Sequence, residues 1–170
     1  MKNRKTGTVY LVQAALIAAI YAVLTYAVSP IAFGPQQIRF SEALTVLPVL
    51  TPAAIPGLTI GCVISNIGSP YGIADIILGA LATFLAACCT RAARNIRIKN
   101  LPVLSLIFPV IFNGIIIGLE ISYFLPESVS FFGFLASGGG VALGEAISCY
   151  VLGLPLFAAL NKTKIFNEVK

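Results

Sequence analysis

Four long apolar runs limit what this chain can fold into. Each is close to the length of about 20 residues that a helix needs to cross the hydrocarbon core of a membrane. Their Ala, Leu and Ile residues lack the strict alternation of a transmembrane β-strand. The composition agrees, because 58% of the residues are hydrophobic and only 10% are charged. We therefore predict an all-α integral membrane protein, with spanning helices at 8–28, 73–90, 101–122 and 141–160.

The basic residues predict how the helices are oriented. They form three clusters, one before the first apolar run, one after the second and one at the C-terminal end, and the positive-inside rule assigns all three to the cytoplasmic side. Two cytoplasmic clusters are separated by an even number of crossings. The spans 8–28 and 73–90 already supply two crossings between the first and second clusters, so the segment 41–67 between them crosses twice or not at all. Both termini are then cytoplasmic. The cluster members are Lys2, Arg4 and Lys5; Arg91, Arg94, Arg97 and Lys99; and Lys162, Lys164 and Lys170.

Prolines interrupt the apolar segment 41–67. Pro48, Pro52 and Pro56 break helical hydrogen bonding, and Gly57 follows directly. We predict two short, Pro-broken helices, at 41–51 and 54–67, with a re-entrant pair as the alternative. The expected fold is a six-helix transmembrane bundle that forms a single domain over residues 1–170. The SGGG sequence at 137–140 is expected to end helicity before the sixth helix.

Polar residues gather at one depth of the predicted bundle. Away from the cytoplasmic clusters and the outer loop, the charged side chains all fall in the outer half. An acid at the centre of a membrane helix costs about 2.5–3.5 kcal/mol, and a single nearby arginine can neutralise only one acid. We therefore predict an outward-facing polar cavity that prefers cationic or donor-rich molecules. The candidate residues are Arg39, Glu42, Asn66, Asp75, Asn113, Glu120 and Glu145.

Each acid also has a simpler explanation. Arg39 and Glu42 are three residues apart and can pair locally. Asp75 is expected in the first turn of a helix, where the helix dipole favours an acid. Glu120 lies near a helix end and can be solvated, whereas apolar neighbours make Glu145 hardest to explain in this way. The shared depth of the acids favours a common cavity.

Small residues line one side of the first helix. Ala14, Ala18 and Ala22 follow an i, i+4 line, with Ala15 and Ala19 beside it. Such a strip allows another helix to approach closely. It predicts a docking surface for another membrane protein, and packing within the bundle is the alternative.

Several functional classes are disfavoured by what the sequence lacks. It has no histidine, so histidine-based metal sites and catalytic triads are not expected. The four cysteines lie in apolar runs and form no CxxC pair, which is typical of buried thiols. No Walker A motif is present, so ATP hydrolysis would belong to another subunit. The net charge of +5 comes from residues at the membrane edges and does not indicate nucleic-acid binding.

Three segments resemble one transporter family. The sequences FGPQQIRFSEALTVLPVLTPAAIPGLTIGC, GIADIILGALATFLAA and GEAISCYVLGLPL are similar to the QueT-type queuosine-precursor transporters, which are substrate-binding S components of energy-coupling factor (ECF) transporters. The resemblance covers nearly the whole chain. It implies a protein of a prokaryotic plasma membrane that binds a 7-deazaguanine, such as preQ0, preQ1 or queuine, on the outside.

The resemblance also implies partners. These are a transmembrane coupling subunit and two ATPase subunits, so ATP is used by the partners and no cofactor is expected in this chain. The alanine strip of the first helix matches the small-residue motif with which S components dock on the coupling subunit.

The ligand class suggests roles for the acids. A guanine-like edge offers adjacent N–H donors to one bidentate carboxylate, and the flat ring suits aromatic stacking. An aminomethyl substituent would add a cation for a second acid. We expect Glu145 or Glu120 at the base edge and Asp75 or Glu42 at a second polar group.

Three other residues complete the predicted site. Asn66 and Asn113 are expected to act as amide partners of the ligand. Arg39 is expected to organise the loop 29–40, which can close over the site.

Two other functional classes stay open at this point. One is a self-sufficient secondary transporter that couples the uptake of a small cationic or donor-rich solute to an ion gradient through titrating acids. The other is a membrane enzyme, which the absence of histidine and of cysteine in a polar setting strongly disfavours.

Overall fold

The computed structural model describes residues 2–29, 39–124, 130–163 and 165–166. Within these ranges the chain forms six helices, as predicted. Four of them, the first and the last three, are long and apolar enough to cross a membrane. Most of the predicted closing loop lies outside the described residues. The helices are α1 (Lys2–Ala27), α2 (Phe40–Val49), α3 (Ala54–Asn66), α4 (Ile73–Ala92), α5 (Ile107–Phe124) and α6 (Phe131–Lys162).

The helices pack largely in chain order around α2. Helix α1 packs on α3, α3 on α4, α4 on α5 and α5 on α6, while α2 contacts α1, α3, α4 and α6. Residues 41–49 of α2 are all buried, so this short helix forms the centre of the bundle. Because it is surrounded by protein, its irregular backbone is not exposed to lipid. The two short helices lie close to the predicted segments 41–51 and 54–67, and the cytoplasmic orientation of the termini stays a prediction.

Helix α2 is wound as a 3-10 helix over its full length. Such runs are uncommon beyond three or four residues, and their side chains at i and i+3 align in one row. Glu42 and Thr45 therefore lie above one another, on the row that continues to Pro48. This row carries an acid into the centre of the bundle.

Helix α6 is wound as a π-helix over Ile147–Gly153, where it packs against α2. The Sγ atom of Cys149 lies 3.3 Å from Oγ1 of Thr45 and 3.6 Å from the backbone oxygen of Glu42. π-helical segments occur frequently at functional sites. Two segments of unusual winding thus meet beside Glu42.

The prediction that the SGGG sequence ends helicity is wrong. Helix α6 begins after Ser130, whose Oγ accepts a hydrogen bond from the backbone nitrogen of Gly133 at 3.0 Å, and it continues through residues 137–140. A Cβ atom on Gly138 would lie 2.7 Å from the backbone oxygen of Gly114 in α5. The glycine therefore allows close helix packing, as small residues do in membrane bundles.

Helix α5 begins at Ile107, six residues later than predicted. The segment before it is tied to the end of α4 by two hydrogen bonds. Oγ1 of Thr90 donates to the backbone oxygen of Ser105 at 3.0 Å, and Oγ of Ser105 donates to the backbone oxygen of Ala93 at 3.0 Å. These bonds hold the α4–α5 connection as a compact turn.

The alanine strip of α1 is divided between two surfaces. Ala14, Ala18 and Ala22 are buried, whereas Ala15 and Ala19 are exposed. The buried residues face α3, where a Cβ atom on Gly57 would lie 2.8 Å from the backbone oxygen of Ala14 and one on Gly61 would lie 3.0 Å from that of Ala18. These three alanines therefore pack within the bundle, as the alternative interpretation of the strip predicted. Docking on a partner stays a prediction, and the exposed pair Ala15 and Ala19 is the part of the strip that is accessible for it.

Candidate functional site

Arg39 is held between the C-terminal end of α3 and the N-terminal end of α4. Its Nη1 donates to Oδ1 of Asn66 at 3.2 Å, and its Nη2 lies 3.7 Å from Oδ2 of Asp75. Asn66 also donates from Nδ2 to the backbone oxygen of Asp75 at 2.8 Å. Arg39 is 6% exposed and Asp75 is fully buried. Three predicted site residues therefore form one buried polar cluster.

This ion pair differs from the local pair that sequence spacing suggested. Asp75 lies in the first turn of α4, which agrees with the dipole explanation, but its side chain also faces a guanidinium 36 positions earlier in the chain. Glu42, three residues from Arg39, also feels the charge of Arg39, and it accepts a hydrogen bond from the hydroxyl of Tyr21.

Glu42 and Glu145 form the second part of the site. Tyr21 donates its hydroxyl hydrogen to Oε1 of Glu42. The carboxyl groups of Glu42 and Glu145 lie close enough to interact, and Oε1 of Glu145 accepts from Sγ of Cys149 at 3.5 Å. Both acids are buried, with 3% and 6% of their surface exposed. Two carboxyl groups in contact at a buried site repel when both are charged, so a proton or a cation has to compensate them.

Glu120 lies between α4 and α5, beside the first cluster. It is only 3% exposed, so the explanation that it is solvated is wrong. Its charge interacts with those of Asp75 and Arg39. Neither of its carboxylate oxygens has a hydrogen-bond partner among the described residues. A buried acceptor without a partner costs about 1–3 kcal/mol, more when it is charged, so this carboxylate is available to a ligand with N–H donors.

Aromatic side chains lie near Glu120. Tyr71 is close enough to feel its charge, and the rings of Tyr71 and Phe124 lie 5.9 Å apart. Glu120, Phe124 and Tyr123 also line an otherwise apolar cavity of about 500 Å³ between α4 and α5. A carboxylate beside aromatic rings can bind the edge of a flat heterocycle while a ring stacks on its face.

Asn113 is the candidate that lies farthest from the others along its helix. It precedes Glu120 by seven residues, which corresponds to about 10 Å along α5. The side chain is buried, and its Nδ2 has no hydrogen-bond partner among the described residues. It is thus a second unused polar group on the same helix.

Sequence reasoning missed Tyr21, Thr45 and Cys149 as parts of this site. Tyr21 is fully buried and donates a hydrogen bond to Glu42. Its position three residues after Ala18 was the available signal, because both then lie on the packed face of α1. The two others are small polar residues within apolar runs, for which the sequence gives no comparable signal.

Comparison with known proteins identifies the family. The model of the QueT transporter family matches residues 11–162, which is most of the chain. This chain belongs to the QueT transporter family. Together with the four membrane-length helices, membership in this family makes it a multi-pass membrane protein.

One curated relative of this QueT-family chain is the queuosine precursor transporter QueT of Lactococcus lactis subsp. cremoris (strain MG1363). It is 38% identical over 84 residues, which cover 48% of this chain and 49% of the relative. The alignment thus spans about half the length of the curated relative. Its bacterial source agrees with a prokaryotic plasma membrane. No solved structure matches this QueT-family chain.

Proposed function

We propose that this chain is the substrate-binding component of an ECF-type uptake transporter for a queuosine precursor. It captures a 7-deazaguanine on the outside and delivers it inward together with a transmembrane coupling subunit and two ATPase subunits. The substrate class is supported by the name of the Lactococcus relative. The observation that carries the proposal is the convergence of buried acids from α2, α4 and α6 near a single guanidinium, with Glu120 of α5 beside them.

The geometry favours Glu120 at the base edge. A guanine-like ring presents a ring N–H and an exocyclic amine side by side, and these donors match the two oxygens of one carboxylate. Both oxygens of Glu120 are buried without a hydrogen-bond partner in the described part of the chain, whereas Glu145 already accepts from Cys149. Tyr71 and Phe124 supply aromatic surface next to Glu120.

Glu120→Gln is the first test of this assignment. The purified protein is titrated with preQ0, preQ1 and queuine by calorimetry. We expect the wild type to bind at least one of them, and Glu120→Gln to weaken that binding by about tenfold or more, because a hydrogen bond to a charged group contributes about 1.5–3 kcal/mol. The matched control ligand is 7-deazaadenine, which lacks the two adjacent donors and is expected not to bind.

One result would contradict the assignment of Glu120, and another would contradict the substrate class. Unchanged affinity in Glu120→Gln would remove that residue from the base edge and leave Glu145 as the candidate. Failure of the folded wild type to bind any of the three precursors, with binding of riboflavin or another vitamin instead, would overturn the substrate class.

A second candidate function is ion-coupled secondary transport by this chain alone. The contact between the carboxyl groups of Glu42 and Glu145 favours it, because such a pair can exchange a proton for a cationic solute. Reconstitution in liposomes of the chain alone, and of the chain with the coupling and ATPase subunits, separates the two functions. Uptake driven by a proton gradient supports secondary transport, whereas uptake that requires the ATPase subunits and ATP supports the ECF role.

A further inference from the structure

The acids of the site are divided into two groups with different surroundings. Asp75 has a guanidinium at 3.7 Å, and Glu120 lies within the field of the same arginine. Glu42 and Glu145 also lie within the field of Arg39, but they interact with each other as well, and Sγ of Cys149 lies 3.6 Å from the backbone oxygen of Glu42 and 3.5 Å from Oε1 of Glu145. Oε2 of Glu42 has no hydrogen-bond partner among the described residues. Arg39 is the only basic residue between positions 6 and 90 of the sequence. Four buried acids thus share one cation in this half of the protein.

We propose that Glu42 and Glu145 form an ammonium subsite that selects precursors carrying a protonated aminomethyl group over neutral ones. The inference rests on the proposed function, since it concerns the substituent of the same 7-deazaguanine. It assigns the base edge and the substituent to different acids. Glu120 recognises the ring, and the Glu42–Glu145 pair recognises the charge.

The atoms around this pair match the needs of a primary ammonium. An ammonium has three donors and no acceptor. Oε2 of Glu42 and the carboxylate of Glu145 supply two acceptors, and the hydroxyl oxygen of Tyr21 can supply the third, because its hydrogen is already donated to Oε1 of Glu42. A nitrile offers no donor to these oxygens, and a hydroxyl group offers one donor without a charge.

The surroundings favour an ammonium over a metal ion. Among the residues that the structure describes, no three His, Cys, Asp or Glu side chains are grouped so that they can hold a metal. Both acids are more than nine-tenths buried, so a cation bound there is largely removed from water. Pairing of opposite charges is strengthened in such surroundings. A small cation that carries its own three donors is the complementary ligand.

Two matched ligands test the proposal on the unmodified protein. We compare 7-aminomethyl-7-deazaguanine with 7-hydroxymethyl-7-deazaguanine, which has nearly the same size and no charge, by calorimetry at neutral pH. The aminomethyl ligand is expected to bind about tenfold or more tightly, as is typical of charge-assisted hydrogen bonds. Because only the ligand changes, this comparison does not depend on whether a variant folds.

Three variants assign the preference to residues. Glu145→Gln and Glu42→Gln are each expected to reduce the aminomethyl preference to about threefold or less, mainly by weakening the aminomethyl ligand. Glu120→Gln is the matched control, because it also removes one carboxylate charge from the site. It is expected to weaken both ligands by a similar factor and so to keep their ratio.

The outcomes distinguish this inference from the proposed function. Equal binding of the two ligands to the wild type, or a preference that persists in both Glu145→Gln and Glu42→Gln, overturns the ammonium subsite and leaves the precursor-binding function intact. Binding of neither ligand to the folded wild type overturns the proposed function, and the subsite with it.

Discussion

Arg39→Leu is expected to lower the thermal unfolding midpoint of the protein by about 10 °C and to abolish detectable precursor binding. The variant leaves the fully buried carboxylate of Asp75 without the guanidinium that lies 3.7 Å away, and it removes a donor to Asn66. Removing one partner of a buried ion pair typically destabilises a protein by about 3–5 kcal/mol, and in a chain of this length each kcal/mol shifts the midpoint by about 2–4 °C. Circular dichroism at 222 nm in detergent measures the change.

The double variant Arg39→Leu/Asp75→Leu is the control for this prediction. It removes both charges, so the penalty for an uncompensated buried carboxylate disappears and most of the lost midpoint is expected to return. Binding is not expected to return, because Asp75 lies within the proposed site. If the single variant unfolds at the wild-type temperature, or if the double variant is less stable than the single one, the ion pair does not stabilise the bundle.

The depth of the polar residues was predictable, whereas their pairing was not. Charged groups in apolar helices are costly, so acids predicted to lie at the same depth of the helices have a physical reason to share a cavity. The structure brings Glu42 and Glu145 close enough to interact and places Asp75 beside Arg39. Sequence spacing suggested Glu42 as a partner of Arg39. It could not predict Asp75 as the partner, because local spacing contains no information about the approach of α4.

The helices were predictable where local chemistry determines them. Prolines mark the segment in which the chain divides into α2 and α3, and the predicted boundaries agree closely with Phe40–Val49 and Ala54–Asn66. The 3-10 winding of α2 was not predicted, because it depends on packing against four other helices. Nor could the sequence tell whether the alanine strip of α1 packs within the bundle or docks on a partner, since apolar residues occur all around this helix.

The glycines of α5 and α6 show a second case in which packing, and not local sequence, determines the helix. Taken locally, SGGG predicts a break, because glycine disfavours a helix by about 1 kcal/mol relative to alanine. In the bundle, α6 remains helical through this sequence, and Gly138 packs against Gly114 and Gly118 of α5. Small residues at such a crossing let two helices approach closely and gain packing contacts.

Gly118→Ala is therefore expected to destabilise the protein and to weaken precursor binding, although alanine is the better helix former. The added Cβ atom would lie 2.9 Å from the backbone nitrogen of Gly138 and even closer to its Cα atom. Backbone atoms cannot rotate away as a side chain can, so α5 and α6 have to separate. Overpacking of this kind typically costs about 1–3 kcal/mol, and thermal unfolding measured by circular dichroism is expected to show a midpoint several degrees lower.

Gly139→Ala is the matched control for this effect. In the described structure nothing lies within 4 Å of a Cβ atom at that position, although it is next to Gly138 in the same helix. Alanine there is expected to leave the unfolding midpoint unchanged or to raise it slightly, because helix propensity improves without a clash. Equal midpoints for Gly118→Ala and Gly139→Ala would mean that α5 and α6 are not in close contact.

The effect of Gly118→Ala on precursor binding follows from the same contact, because Glu120 comes two residues after Gly118 on α5 and Glu145 comes seven residues after Gly138 on α6. A displacement between these helices changes the spacing between the acid at the proposed base edge and the acid at the proposed ammonium subsite.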